Sequence, residues 1–229
     1  MNNLNKNSGF ILIDKPFGRS SHSIVGQLRR ITKIKKIGHA GTLDPRATGL
    51  LILAIGREFT RQIDKFVKMD KIYEAEIFLG KTTDTYDGEG QILSEYHGPI
   101  IKRRDLKLAL KKFTGPQLQI PPMYSAKKIN GQKLYDLARK DIEVERKPSK
   151  ITIYKIKLLQ YSWPTLKLRI ACSSGTYIRS IAYDLGQELG CGAYLSALRR
   201  TKIAKFKINR AQPITNINEK NWQKYLFFK

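Results

Sequence analysis

The longest uninterrupted apolar run in this chain is "LLILAI", Leu50–Ile55. A helix needs about 20 apolar residues to cross a bilayer, so this run cannot span one. It is also shorter than an ordinary buried helix, and reads as a strand covered on both faces. Such a strand needs neighbours, and the sequence offers several. "GFILID" (9–14) is a second buried strand. "IYEAEIFLG" (72–80) sets Tyr73, Ala75, Ile77 and Leu79 against Glu74, Glu76 and Phe78, and "TLKLRIA" (165–171) alternates strictly. Both patterns describe strands with one solvated face. "ITIYKI" (151–156) adds another strand.

Helical spacing fills the gaps between them. Ser20 or Ser21 is placed to cap a helix that carries Ile24, Leu28 and Ile31 and ends in the basic run "KIKK" (33–36). "REFTRQIDKFVK" (57–68) predicts a helix with Phe59, Ile63 and Phe66 on one face. Leu106, Ala109, Leu110 and Phe113 form a third such face, stopped by Gly115-Pro116. "SSGTYIRSIAYDLGQELG" (173–190) turns Ile178, Ile181, Leu185 and Leu189 inward and stops at Gly190. Between these, "QIPPMYSAKKINGQKLYDLARK" (119–140) is rich in proline, lysine and tyrosine, and residues 100–150 read as an inserted basic flap or subdomain. The elements follow no regular strand–helix–strand rhythm. The expectation is an α+β fold with a mixed, mostly antiparallel central sheet flanked by helices and loops, in a single domain over 1–229.

Charge says what such a domain would bind. Lys and Arg number 43 against 19 acids, a net charge of +24 with a pI near 10.1. A surplus of that size on 229 residues repels itself unless a polyanion compensates it, which points to nucleic acid. An anionic membrane is disfavoured, because no stretch joins an amphipathic helix to a basic face with bulky apolar anchors. The opening "MNNLNKNSGFILIDKP" has no signal-peptide pattern. Cys172 and Cys191 are too few for a disulfide framework, and together these features favour a reducing cytoplasm.

Several familiar sites fail on inspection. "GHAGTLDP" (38–45) lacks the Lys-Ser/Thr of a phosphate-binding P-loop, and no G-x-G-x-x-G occurs. "DTYDGEG" (84–90) places Asp84, Tyr86 and Gly88 where a calcium loop needs three oxygen ligands. His22, His39 and His97 are scattered. The expectation is no metal and no cofactor.

What remains is a lone acid, Asp44, on a loop with glycines at 38, 41 and 49 and Pro45 directly after it. Proline biases Asp44 away from helix, and the glycines permit unusual dihedrals and close approach of a ligand. An Asx turn and a catalytic carboxylate both fit this placement. Arg179 falls in the first turn of a predicted helix, where a cation opposes the helix dipole; a surface cation and a guanidinium aimed at an acid or phosphate both fit. Tyr73 and Tyr177 read equally as core aromatics or as base-stacking surfaces.

Longer motifs break the tie. "GHAGTLDPRATGLL" resembles the catalytic motif of the TruB family of tRNA pseudouridine synthases. Further blocks match in the same order: "DKPFGRSSHSIV", "DKIYEAEIFLGKTTDTYDGEG", "QIPPMYSAKKINGQKLYDLAR", "CSSGTYIRSIAYDLG" and "LSALRRT". The resemblance runs from about Gly9 to Asn216. It implies a pseudouridine synthase fold and the isomerisation of uridine 55 in the tRNA T loop, without cofactor or metal. The family's catalytic aspartate falls on Asp44 and the arginine that pairs with it on Arg179. The tyrosine that stacks on the target base falls on Tyr73, a second active-site tyrosine on Tyr177, and the leucine of the uracil pocket on Leu198. His39 takes the place of the loop histidine that contacts flipped-out nucleotides, and Asp87 falls in a supporting block. Lys15, Arg46, Lys127, Lys128, Arg199 and Arg200 are the cations expected to meet RNA. The expected partner is the T-arm stem-loop, and the expected state a monomer.

The chain departs from its relatives in places. It ends at Lys229, with no separate C-terminal RNA-binding domain expected. Asp141 stands where glycine is expected, Ser149 where arginine is usual, and Tyr194 where histidine is frequent. A non-catalytic RNA-binding or RNA-chaperone protein of the same fold is the rival reading; the joint presence of Asp44, Tyr73, Tyr177 and Arg179 argues against it. The self-contained "PPMYSAKK" insert favours the stand-alone bacterial type over relatives that work inside guide-RNA particles.

Overall fold

The computed structural model describes residues 7–125, 127–129, 131–138, 140, 142 and 144–228. The chain begins with β1 (Gly9–Lys15), α1 (Ser21–Thr32), β2 (Ile37–Ala40), β3 (Thr48–Ile55), the single-turn helices α2 (Arg57–Thr60) and α3 (Asp64–Val67), and β4 (Lys71–Leu79). It continues through β5 (Lys81–Thr83), β6 (Ile92–Glu95), α4 (Arg103–Lys112), β7 (Gly115–Gln119), β8 (Lys128–Ile129), β9 (Gln132–Lys133) and α5 (Leu134–Ala138). It closes with β10 (Ser149–Ser162), β11 (Thr165–Cys172), α6 (Ile178–Glu188), β12 (Ala193–Ile203), β13 (Phe206–Lys207) and β14 (Gln212–Pro213). Two compact units result, one holding the chain up to Tyr73 and from Leu198 onward, the other Glu74–Ala197. The fold is α+β, with mostly antiparallel strand pairs. No helix among the described residues is long and apolar enough to cross a membrane.

In the first unit β3 is the centre. β1 lies antiparallel along its whole length, from Gly9 opposite Ile55 to Lys15 opposite Gly49. The other edge of β3 is divided. β2 covers Ile52–Ile55, and β12 then takes over in parallel, with Arg199 opposite Thr48 and Arg200 opposite Gly49. The loop 41–47 leaves the sheet where one neighbour gives way to the other. Leu50–Ile55 are fully buried, as an apolar run demands. Leu51, Leu53 and Ile55 enter a core with Ile24, Val25 and Leu28 of α1 and with Trp222. Leu50, Ile52 and Ala54 face the opposite core with Phe10, Phe59, Phe66 and Phe206.

Local signals explain the helices. Ser20 accepts a hydrogen bond from the Ser23 amide at 3.0 Å and so caps α1, which ends at Lys33 in the left-handed region (φ 60°). The single helix expected over 57–68 is two turns instead. Backbone bonds tighten to i→i+3 spacing between them, Gln62 N–Phe59 O at 3.0 Å and Lys65 N–Gln62 O at 3.1 Å. Phe10 packs edge-on against both Phe59 and Phe66, with centroids 5.1 and 4.6 Å away, and the break lets both rings reach it.

The second unit orders its strands β12-β4-β11-β10-β7. β4 alternates buried and half-buried residues along its length, matching its period-two sequence. β10 and β11 form an antiparallel pair, and β7 borders β10 with Gln119 opposite Ser149. Ile178, Ile181 and Leu185 of α6 are buried, and Gly190 follows the helix at φ 69°. Residues 100–150 contribute α4, β7, the β8–β9 pair and α5 to this unit. Asp141 lies outside the described residues, as does the side chain of Lys128.

Candidate active site

Asp44 is half-buried on the 41–47 loop of the first unit, and several hydrogen bonds hold the backbone of that loop. Ser21, at the start of α1, donates from its hydroxyl to the Leu43 carbonyl at 3.1 Å and accepts from the Leu43 amide at 2.9 Å. Arg200 donates through Nη2 to the Gly41 carbonyl at 3.0 Å and through Nε to the Leu50 carbonyl at 2.8 Å. Lys15 donates to the Pro45 carbonyl at 3.2 Å and the Pro16 carbonyl at 3.0 Å, and also to the Arg19 carbonyl. Gly18 N completes the set with a 2.9 Å bond to the Pro45 carbonyl. A half-exposed carboxylate therefore rides on a loop gripped at residues 41, 43 and 45.

Two cations expected to meet RNA have a different use here. Lys15 is completely buried and Arg200 is 1% exposed, and both spend their donors on carbonyls of the protein. Charge counting missed this, because the carbonyls converge only in the folded chain. The signal lay in the "DKPFGRSS" block, where the lysine and the capping serines sit together.

Burial pulls the Lys15 ammonium down to about 8, with Arg200 and Arg19 adding to the effect and Asp44 opposing it. The unfolded chain binds this proton more tightly, so between about pH 8 and 10.5 the titration raises fold stability as pH rises. The loop responds in the opposite sense. An ammonium has three donors for its three carbonyls, whereas the neutral amine has two. We expect kcat/KM to fall above about pH 8 while resistance to urea does not fall. The alkaline limb should be missing in a Lys15→Met variant, whose activity is low throughout. A pH–rate profile beside urea titrations checks both signs.

The other first-unit candidates occupy neighbouring strands. His39 is half-buried on β2 with its Nδ1 buried and without a hydrogen-bond partner. Burial first, then the neighbouring Arg200 and His22, lower its pKa, so the ring is neutral at pH 7. Tyr73 is 7% exposed on β4. Leu198 is half-buried on β12, and its carbonyl accepts from the Thr48 hydroxyl at 3.4 Å. Arg199 makes a two-pronged pair with Asp14, at 3.1 and 2.6 Å. Arg46 is exposed beside Phe17.

In the second unit, Tyr177 caps the start of α6 through its backbone, held by the Gln119 side chain: the amide oxygen accepts from Tyr177 N at 2.8 Å and the amide nitrogen donates to Tyr177 O at 3.0 Å. Ser180 donates to the Ile120 carbonyl at 2.9 Å. In the first turn of the helix, the nearly buried Arg179 guanidinium lies 3.4 Å from Asp87 Oδ2 and donates to the Thr85 and Tyr124 carbonyls at 3.3 and 2.6 Å. Asp87 is itself oriented by the Thr85 hydroxyl at 2.7 Å and the Glu89 amide at 2.9 Å. The "DTYDGEG" turn thus supplies a counter-charge to an arginine. Between them Tyr86 sits at φ 63°, a position a bulky residue rarely adopts, with its ring stacked 4.0 Å from Tyr183. Lys127 donates to Ser149 at 2.6 Å, and Tyr194 stacks on Phe78 at 5.3 Å.

Comparison with known proteins places these residues in context. Residues 29–178 match the family model described as "TruB family pseudouridylate synthase (N terminal domain)", and residues 179–226 the one described as "tRNA pseudouridylate synthase B C-terminal domain". The chain is 54% identical over 198 residues to tRNA pseudouridine synthase B of Protochlamydia amoebophila, covering 86% of this chain and 75% of that protein. It is 49% identical over 201 residues to tRNA pseudouridine synthase B of Opitutus terrae, covering 87% and 83%. Among solved structures, a chain of a Cbf5-Nop10-Gar1 complex matches with a TM-score of 0.70 and 28% identity, over 89% of this chain and 51% of that one.

Proposed function

The chain belongs to the TruB family of pseudouridylate synthases, and from that premise we propose that it isomerises uridine 55 in the T loop of tRNA, in the cytoplasm, with Asp44 as its essential carboxylate. The observation that carries this reading is the loop itself. Its backbone is gripped by Ser21, Lys15 and Arg200, and the acid it presents is the one to which the family resemblance assigns the chemistry.

In the reaction the bond from uracil N1 to ribose C1′ breaks, the detached base turns, and a bond from C5 to C1′ forms. The proton lost from C5 balances the one gained at N1, so the product is an isomer and no co-reactant is consumed. Asp44 acts as an ionised carboxylate, whether on the ribose, on the pyrimidine ring or on a ribose proton. The target base has to leave its stack, which costs a few kcal/mol. Tyr73 stacks on it, Leu198 packs its pocket, and the neutral His39, with Nδ1 unpartnered, meets a displaced nucleotide. The roles of Tyr177 and Arg179 are those implied by the resemblance. The basic surface grips phosphates of the T arm, which supplies affinity without sequence information.

Incubating the protein with unmodified tRNA and with a T-arm stem-loop, then mapping pseudouridine, tests the reading. One modified uridine in the T loop is the expected result. No product, or product spread over unrelated uridines, overturns it.

A further inference from the structure

Phe17 is an oddity on the surface of the first unit. Every phenylalanine of the aromatic core (Phe10, Phe59, Phe66 and Phe206) is at most 9% exposed, whereas Phe17 is 62% exposed. Burying a phenylalanine stabilises a fold, and this ring forgoes that gain. It is not loosely held. The Arg46 guanidinium lies 5.6 Å from the ring centroid, in cation–π range. The two turns that carry the pair are locked together, because Gly18 N and Lys15 Nζ both donate to the Pro45 carbonyl. The same lysine donates to the Pro16 carbonyl on the other side of Phe17.

Place and charge say what the pair is for. Arg46 lies two residues after Asp44, a span of at most about 7 Å. A flat aromatic face and a planar cation are therefore displayed beside the loop that carries the acid. Two residues after Phe17, Arg19 joins Arg30 and Lys33 in lining a polar cleft of about 450 Å³ along α1. The one carboxylate in that lining, Glu219, is paired with Lys33 at 2.7 Å. An aromatic platform with an arginine over it, bordered by cations, fits an unpaired nucleobase followed by its phosphate better than it fits an apolar peptide.

We propose that Phe17 and Arg46 form a nucleotide subsite that stacks an unpaired base adjoining the target uridine, with Arg19 and Arg30 receiving the neighbouring phosphate. The inference rests on the RNA-modifying function proposed above and adds a residue, Phe17, that neither charge nor the family motifs single out. The subsite is tied to the Asp44 loop through Pro45, so a base held there sets the register of the strand against the acid.

Binding of a labelled T-arm stem-loop, measured by anisotropy in an Asp44→Asn background so that the RNA stays unconverted, tests it. Phe17→Ala should raise Kd roughly five- to hundredfold, the range for losing one stacked base. Phe17→Trp should stay within about twofold of the parent. Arg46→Met should weaken binding and lower the slope of log Kd against log salt by about one. When abasic nucleotides are moved through the loop one at a time, the Phe17→Ala loss should vanish at a single flanking position. A loss below about twofold, or the same loss on every abasic RNA, overturns the subsite. Thermal melting of each variant excludes misfolding as the cause. If the wild type makes no pseudouridine the enzymatic reading falls, while these affinities still decide the subsite.

Discussion

Asp44→Asn is expected to slow pseudouridine formation at least about a hundredfold, while leaving the melting temperature close to that of wild type and the affinity for T-arm RNA within about threefold. The two halves of this expectation come from different parts of the loop. Asparagine keeps the shape of aspartate, and the bonds that hold the loop end on the backbone of Gly41, Leu43 and Pro45. The variant therefore presents the same outline to the RNA. What it lacks is an anion. Removing a general base costs about 10²- to 10⁴-fold, and removing a nucleophile has cost up to about 10⁶-fold in other enzymes. Asp44→Glu separates charge from position, since it restores the carboxylate but moves it by roughly a carbon–carbon bond. A displacement near 1 Å can cost about 10²-fold, so glutamate should rescue only a small part of the rate. Single-turnover measurement with saturating enzyme reads the chemical step directly. A variant retaining a tenth of the wild-type rate would move the chemistry to another residue.

The parts of this molecule that could be read from the sequence are those with a short-range cause. Leu50–Ile55 is apolar throughout because both its faces meet a core, and the alternation of β4 survives as alternating burial. Ser20 and Gly190 mark helix ends through local backbone chemistry. Misreadings arose where distant segments decide. Phe59, Ile63 and Phe66 have helical spacing, yet the continuous helix gives way so that two rings can meet Phe10. Lys15 and Arg200 count as surface charge in any composition, and only the fold brings Gly41, Pro45 and Leu50 carbonyls to them. The pair of Arg179 with Asp87 joins a helix to a turn 92 positions earlier, and no periodicity connects them. The acid at the centre of the proposed site was legible only as a choice between a turn former and a catalyst until long motifs were compared.

The same long-range logic makes Gly49→Ala the most damaging single methyl group that can be added near the site. Gly49 has φ 103°, where a side chain is strained, at a cost of about 1–3 kcal/mol. A Cβ there would lie 2.3 Å from the Arg200 carbonyl oxygen and 2.8 Å from its nitrogen. Both atoms belong to the backbone of the strand paired in parallel with β3, so relief requires β3 and β12 to separate. Overpacking of that kind adds about 1–3 kcal/mol. A total near 4 kcal/mol should lower Tm by roughly 8–16 °C in a domain of this size. The damage should reach the loop as well. Gly49 stands opposite Lys15 on β1 and opposite Arg200 on β12, the two cations that hold residues 41 and 45. Activity should therefore fall even at temperatures where the variant is fully folded. Gly18→Ala provides the contrast. Its φ is 77°, but nothing lies within 4 Å of the added carbon, so only the backbone term of about 1–2 kcal/mol applies. Equal melting shifts for the two variants would mean that close approach of β3 to the Arg200 backbone does not limit stability. A shift at least twice as large for Gly49→Ala, together with a rate loss below its melting transition, would show that the junction of the two strands sets both the fold and the position of the acid.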